Sequence, residues 1–250
     1  MMAEGALRPV AEAQGITKWD RFLYWANQFL TNDPRFEDEE RNYKLPVAER
    51  LGEARELLLA GDGNWRDCLH SAIHHRNNNL TNWRTMQPLE QWFRDDRPTA
   101  ELAFRSLWDA DRAIPERFNE FVRVATHAGL KAPISEVSFL HMAIDPSAYP
   151  MYRATPVERA MDLTGFPVPK EVGIPSADTG RRYQHLLQFL DLVIKRGAER
   201  GIPFRDRLDA QSATWCVTQW GPPGNWSPEA QRVFLAFRGE SKLYKDSWDS

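Results

Sequence analysis

Six apolar residues, Tyr183, Leu186, Leu187, Leu190, Val193 and Ile194, recur at intervals of three and four before Gly201. That spacing gathers them on one face of a helix, and the same pattern returns along most of the chain. Trp19, Phe22, Leu23, Ala26, Phe29 and Leu30 follow Thr17 as a cap. Val47, Leu51, Ala54 and Leu58 lie between Pro46 and the stop at Gly61 to Gly63. Ala103, Phe104, Leu107 and Trp108 follow Thr99, and Phe118, Phe121, Val122 and Ala125 run from Pro115 to Gly129. Segments 65–75 and 86–93 read as further helices, Pro133 starts another, and Pro203 opens one through Leu208, Trp215 and Val217. Strand-like alternation is scarcely present. The expected fold is all-α, an irregular domain of about eight to ten helices, with a small extended element near the C-terminus at VFLAF (233–237).

The 250 residues suffice for a sizeable core. Residues 1–15 read as a flexible leader, 16–220 as the helical domain and 221–250 as a C-terminal extension. The Pro/Gly-rich connection at 166–180 marks a sub-boundary, and the acidic run 37–40 reads as a solvated loop. Cys68 and Cys216 stand far apart with no secretory signal before them, which fits reduced thiols in a cytoplasmic protein. No apolar run is long enough to span a membrane. A net charge of −3 excludes a general polycation, so any nucleic-acid surface has to be a local patch.

Between 139 and 165 one apolar helix ends at Asp145-Pro146 and a second opens. Thr155, Pro156 and Glu158 have the spacing of a capping box, and Gly165 supplies the stop. Tyr149 and Tyr152 read as corner packing, which leaves Arg153 without an evident structural duty and so as a candidate nucleic-acid contact.

Two groups of residues have nucleic-acid chemistry. The polar loop 74–84 offers Arg76, Asn78, Asn79, Trp83 and Arg84: guanidinium and amide groups suited to phosphates and base edges, and an indole suited to stacking. Segment 181–207 holds seven Lys/Arg against three acids, a local net of +4, with Arg181, Arg182, Lys195 and Arg196 as a phosphate-facing patch. Helix caps, turns and a solvated helix face are the commoner explanation of the same residues. His70 and His74, four apart, share a helical face as metal ligands do, but no third ligand follows at metalloprotease spacing. The triplet Glu240-Ser241-Lys242 has the form that closes a nuclease metal site on a strand, without an acidic partner before it. Phosphate-loop, dinucleotide-fold, nucleophile-elbow and paired Cys-x-x-Cys signatures do not occur. No cofactor is called for.

The pattern F-L-x-M-A-I-D-P-S-x-Y-P-x-Y-R-x-T-P-x-E-x-A-x-x-L-T-G (139–165), with R-D-R-L-D-A-Q-S (205–212) and Trp215, resembles the helical region that precedes the AAA+ motor in some bacterial McrB-like restriction NTPases. The resemblance covers roughly residues 100–220. It implies a recognition or scaffold module of a DNA-directed, anti-phage system, with motor and nuclease residing elsewhere. The expected function is therefore non-catalytic recognition. DNA, an AAA+ motor or nuclease subunit, and a second copy of the chain are the partner classes. Two alternatives stand beside it: an oligomerisation scaffold without nucleic-acid affinity, built on the ten tryptophans and thirteen phenylalanines, and a small metal-dependent nuclease or hydrolase.

Overall fold

In the computed structural model, residues 16–243 are described; the expected leader and the charged tail lie outside them. Eleven α-helices run through the described residues, one more than the upper end of the expected range, and no strand occurs among them. They are α1 (Lys18–Asn32), α2 (Lys44–Leu59), α3 (Trp65–Ile73), α4 (Trp83–Asp95), α5 (Arg97–Trp108), α6 (Ile114–His127), α7 (Ile134–His141), α8 (Ala154–Thr164), α9 (Thr179–Ala198), α10 (Arg207–Gln219) and α11 (Pro228–Gly239). None is long and apolar enough to cross a membrane.

The apolar stripes meet in one continuous core. It reaches from Trp19 on α1 to Phe237 on α11 and includes residues on both sides of the 166–180 connection. α1 packs against α8, α9 and α10, while α6 packs against α5 and α9, and α2 lies along α3. The aromatic residues are spent inward. Phe104 is ringed by Trp65, Phe93, Trp108 and Phe121, and Trp25 and Phe29 meet Trp226 and Phe234. Trp83 is the exposed large aromatic side chain among the described residues.

Several local expectations need correction. VFLAF belongs to α11, because Phe234 and Phe237 lie on the face that packs on α1, so the expected extended element is a helix. Glu240-Ser241-Lys242 thus follows a helix instead of ending a strand. Glu240 pairs with Arg21, and the Ser241 hydroxyl and Lys242 N–H donate to Asp162, which removes the geometry of the nuclease reading. The acidic run is a π-helical segment, Phe36–Asn42, with Glu40 buried. α5 is capped by Asp96, which accepts from the Thr99 N–H, and α10 is capped by Asp206. The box at Thr155 does not form: α8 starts two residues earlier in register, behind Arg153, and Glu158 instead accepts from Tyr152 Oη (3.1 Å) and Arg182 (3.0 Å).

At the end of α7, His141 is fully enclosed by Phe118, Tyr149 and Tyr183, and neither ring nitrogen has a hydrogen-bond partner. Burial, reinforced by the charges of Arg117 and Arg55, holds its pKa well below the ordinary 6.5. The unfolded chain therefore takes up a proton near that pH that the folded chain refuses. Stability is full above about 6.5 and falls on acidification, by at most about 1.4 kcal/mol per pH unit for this proton. Melting temperature followed from pH 7.5 down to 5 is expected to decline, and His141→Phe to flatten the decline. An equal decline in the variant would assign it to other groups.

Candidate ligand-binding site

Nearly every polar residue of the stretch 205–212 fastens α10 to something distant in sequence. Asp206 accepts from the Asp209 N–H and binds Arg41 through both oxygens (2.8 and 2.7 Å). Asp209, fully buried, receives Arg41 and Arg205. Arg205 also grips Glu37 with two hydrogen bonds, and Arg207 grips Asp191 in the same way. Three carboxylates, Glu37, Asp206 and Asp209, and two guanidiniums, Arg41 and Arg205, therefore bind the π-helical segment to the start of α10.

That attachment places Glu40 and Lys44 against the next turn of α10. The Lys44 ammonium, completely buried, donates to Glu40 Oε2 (3.3 Å), Gln211 Oε1 (2.9 Å) and Ser212 Oγ (3.0 Å). The Ser212 hydroxyl donates onward to the Glu40 carbonyl (3.0 Å). Three acceptors around one nitrogen are what an ammonium requires, so Lys44 is satisfied within the protein. Burial pushes the Glu40 carboxyl up and Lys44 down, against the attraction of each for the other. Burial likewise raises the neighbouring Tyr43 phenol.

Above this floor lies the loop between α3 and α4. Asn78 organises it: its amide donates to the Ile73 carbonyl (2.7 Å) and Thr81 Oγ1, and its oxygen accepts from the Leu80 and Thr81 N–H groups. Arg153 reaches across from the start of α8 to the carbonyls of Asn79 (3.0 Å) and Leu80 (2.6 Å), with its guanidinium 5.3 Å from the Trp215 ring. The residue that lacked a duty in the sequence is the strap that joins loop, α8 and α10.

Floor and loop enclose a cavity of about 650 Å³. Glu40, Lys44 and Gln211 form its polar base, Tyr43, Trp215 and Trp220 its aromatic walls, and Arg76, Asn77, Asn79 and Arg153 its cationic and amide rim. The size lies in the range of small-molecule sites. An occupant would meet ring faces, amides that donate and accept, a buried carboxylate and two guanidiniums.

Of the residues singled out in the sequence, Arg76, Asn79 and Arg153 converge here, and Asn78 shapes the loop without lining the cavity. Trp83 and Arg84 sit on the outer surface, with the Arg84 guanidinium 5.3 Å from the indole. The basic stretch of α9 is dispersed. Arg181 is exposed beside Asp178 (3.9 Å), Arg182 pairs with Glu158, Arg196 lies over Trp19 (4.7 Å), and Lys195 is exposed. Arg200, Arg205 and Arg207 are each engaged by an acid, so little of the local +4 is presented as a patch. Sequence reading missed Glu40, Tyr43, Lys44, Gln211 and Trp220. The one available signal was Gln211-Ser212, a polar pair on the stretch of α10 between Ala210 and Ala213. His70 and His74 meet Glu90 of α4, the third partner that their spacing alone did not supply.

Comparison with family models, curated proteins and solved structures finds no match for this chain.

Proposed function

We propose that the chain is a non-catalytic recognition module of a bacterial DNA-directed defence system, and that the polar cavity receives a nucleotide unit. The cavity itself carries this reading: aromatic walls, asparagine amides and the Glu40 carboxylate suit the face and edge of a base, and Arg76 and Arg153 at the rim suit the attached phosphate. A base can enter such a site only after leaving its stack, so single-stranded or locally unpaired DNA is the favoured form. The resemblance of segments 139–165 and 205–212 to the region before McrB-like motors agrees with it, and assigns NTP hydrolysis and cleavage to partner subunits. With a net charge of −3, affinity rests on a few local cations and falls with salt.

Arg76 is the suitable probe, being exposed and on the loop rim. Binding of labelled single-stranded and duplex oligonucleotides, followed by anisotropy across a salt series, is expected to favour the single strand. Arg76→Ala should lower the slope of log affinity against log salt by about one, with unchanged melting temperature. Absence of binding at about 50 mM salt, or an unaltered slope in the variant, would sink the proposal.

A further inference from the structure

The last turn of α3 and the second turn of α4 meet at a group of side chains that the polar cavity does not use. His70 and His74, one helical turn apart, have ring centroids 4.3 Å from each other. Both rings turn toward one carboxylate: His70 Nδ1 lies 2.5 Å from Glu90 Oε1, and His74 Nε2 lies 3.1 Å from Glu90 Oε2. The three ligand atoms all fall within 4.8 Å of one another. Glu90 is buried, with 6% of its side chain accessible, whereas His70 and His74 retain 46% and 35%. Among the described residues its ion-pair partners are these two imidazoles; no lysine or arginine reaches it. A carboxylate withdrawn from water in this way needs positive charge nearby, and neutral imidazoles supply only hydrogen bonds.

We propose that His70, His74 and Glu90 form a binding site for a divalent transition metal, with zinc as the ion best matched. Two imidazole nitrogens and one carboxylate oxygen make a three-ligand set that leaves a fourth position open, and that position faces solvent on the exposed side of the histidines. Bond lengths of about 2.0–2.2 Å place tetrahedral ligand atoms roughly 3.3 Å apart, so the His70–Glu90 contact at 2.5 Å has to open by less than an ångström, and the other pairs, none beyond 4.8 Å, close by at most about 1.5 Å. Each ring binds through its lone pair as the neutral tautomer whose proton sits on the other nitrogen, so no oxidant or reductant enters. A cavity of about 180 Å³ bounded by Arg66, Asp67, Phe93 and Arg94 abuts His70.

The location gives the ion a structural effect. Loop 74–82 joins α3 to α4 and carries Arg76, Asn77 and Asn79 to the polar cavity. A metal held by His70, His74 and Glu90 clamps both ends of that loop. The site itself does not depend on what the polar cavity binds, and its test is separate.

The full chain, stripped with chelator and dialysed, is titrated with zinc by calorimetry and with cobalt by visible absorption. One equivalent of zinc is expected to bind, and cobalt to show the intense visible bands of four-coordination. His74→Ala and Glu90→Gln should each weaken binding by more than the roughly 10–100-fold that losing a partner of a ligand costs. His127→Ala, an exposed histidine on α6, should leave it unchanged. His74→Ala carries the test if Glu90→Gln loosens the helix contact, since its ring is largely outside the core. No stoichiometric zinc binding by the unaltered chain, or equal binding by His74→Ala, overturns the proposal.

Discussion

Lys44→Met is expected to cost the fold about 3–5 kcal/mol, and adding Glu40→Gln to the same chain is expected to recover much of that loss. The single change removes the only ammonium in a buried group of acceptors. It strands the Glu40 carboxylate, and it leaves Gln211 Oε1 and Ser212 without their donor. Methionine matches the length and the apolar stem of lysine, so the cost reflects the uncompensated charge more than a cavity. The second change removes that charge while keeping an oxygen to accept. Urea unfolding of the four proteins of the cycle gives the coupling directly. Additive losses would show that the two side chains do not act as a pair, and the floor of the cavity would then be held chiefly by the Arg41 and Arg205 ion pairs.

The second large effect is steric. Gly180 lies in the first turn of α9, where that helix meets the first turn of α6, and a Cβ added there would come within 2.4 Å of Pro115 Cα and 2.5 Å of its carbonyl oxygen. Both are backbone atoms at the rigid start of a helix, so neither can swing aside as a side chain would. Gly180→Ala is expected to destabilise by about 3 kcal/mol, the upper part of the usual overpacking range, even though alanine is the better helix former. Asn119 helps fix this junction by accepting from the Gly180 N–H (3.0 Å) and donating to Asp178 (3.0 Å). A melting temperature equal to that of the unaltered chain would mean that the two helix starts separate freely. Gly201→Ala makes a useful comparison: its φ is +72° with open space around the added carbon, so its cost is conformational alone.

The helices were legible because their apolar spacing is strong and their stops are chemical. Gly129, Gly165 and Gly201 all adopt positive φ where the stripes end, as a left-handed helix terminus requires. The starts were read less well. Thr99, Thr155 and Pro203 looked like openings by local rules, yet the structure begins those helices behind Asp96, Arg153 and Asp206. Glu158 shows the reason. Its carboxylate is drawn away by Tyr152 and Arg182, and a tertiary partner outcompetes a backbone N–H. The acidic run failed in the same way: Glu37 and Glu40 look solvated until arginine and lysine partners are placed beside them by contacts some 167–172 positions away. Half of the rim was visible in the polar loop. The floor was not, because no local pattern couples Lys44 to Gln211. His70 and His74 revealed two ligands through helical spacing, but Glu90 approaches from another helix across a loop and leaves no mark on that spacing.

The reach of the Lys44 contact also has a consequence for how the chain is made. After Lys44 is synthesised, 167 further positions must be added before Gln211 exists to receive it. At about 5–20 residues per second a ribosome needs on the order of ten seconds for that interval. Throughout it the ammonium and Glu40 have no α10 to bury them and remain hydrated. A nascent chain halted before 205 therefore has the polar loop and the acidic segment but no walls from Trp215 and Trp220. The cavity is consequently acquired only once α10 has been made, and occupancy of it marks a chain whose α2 and α10 have already met.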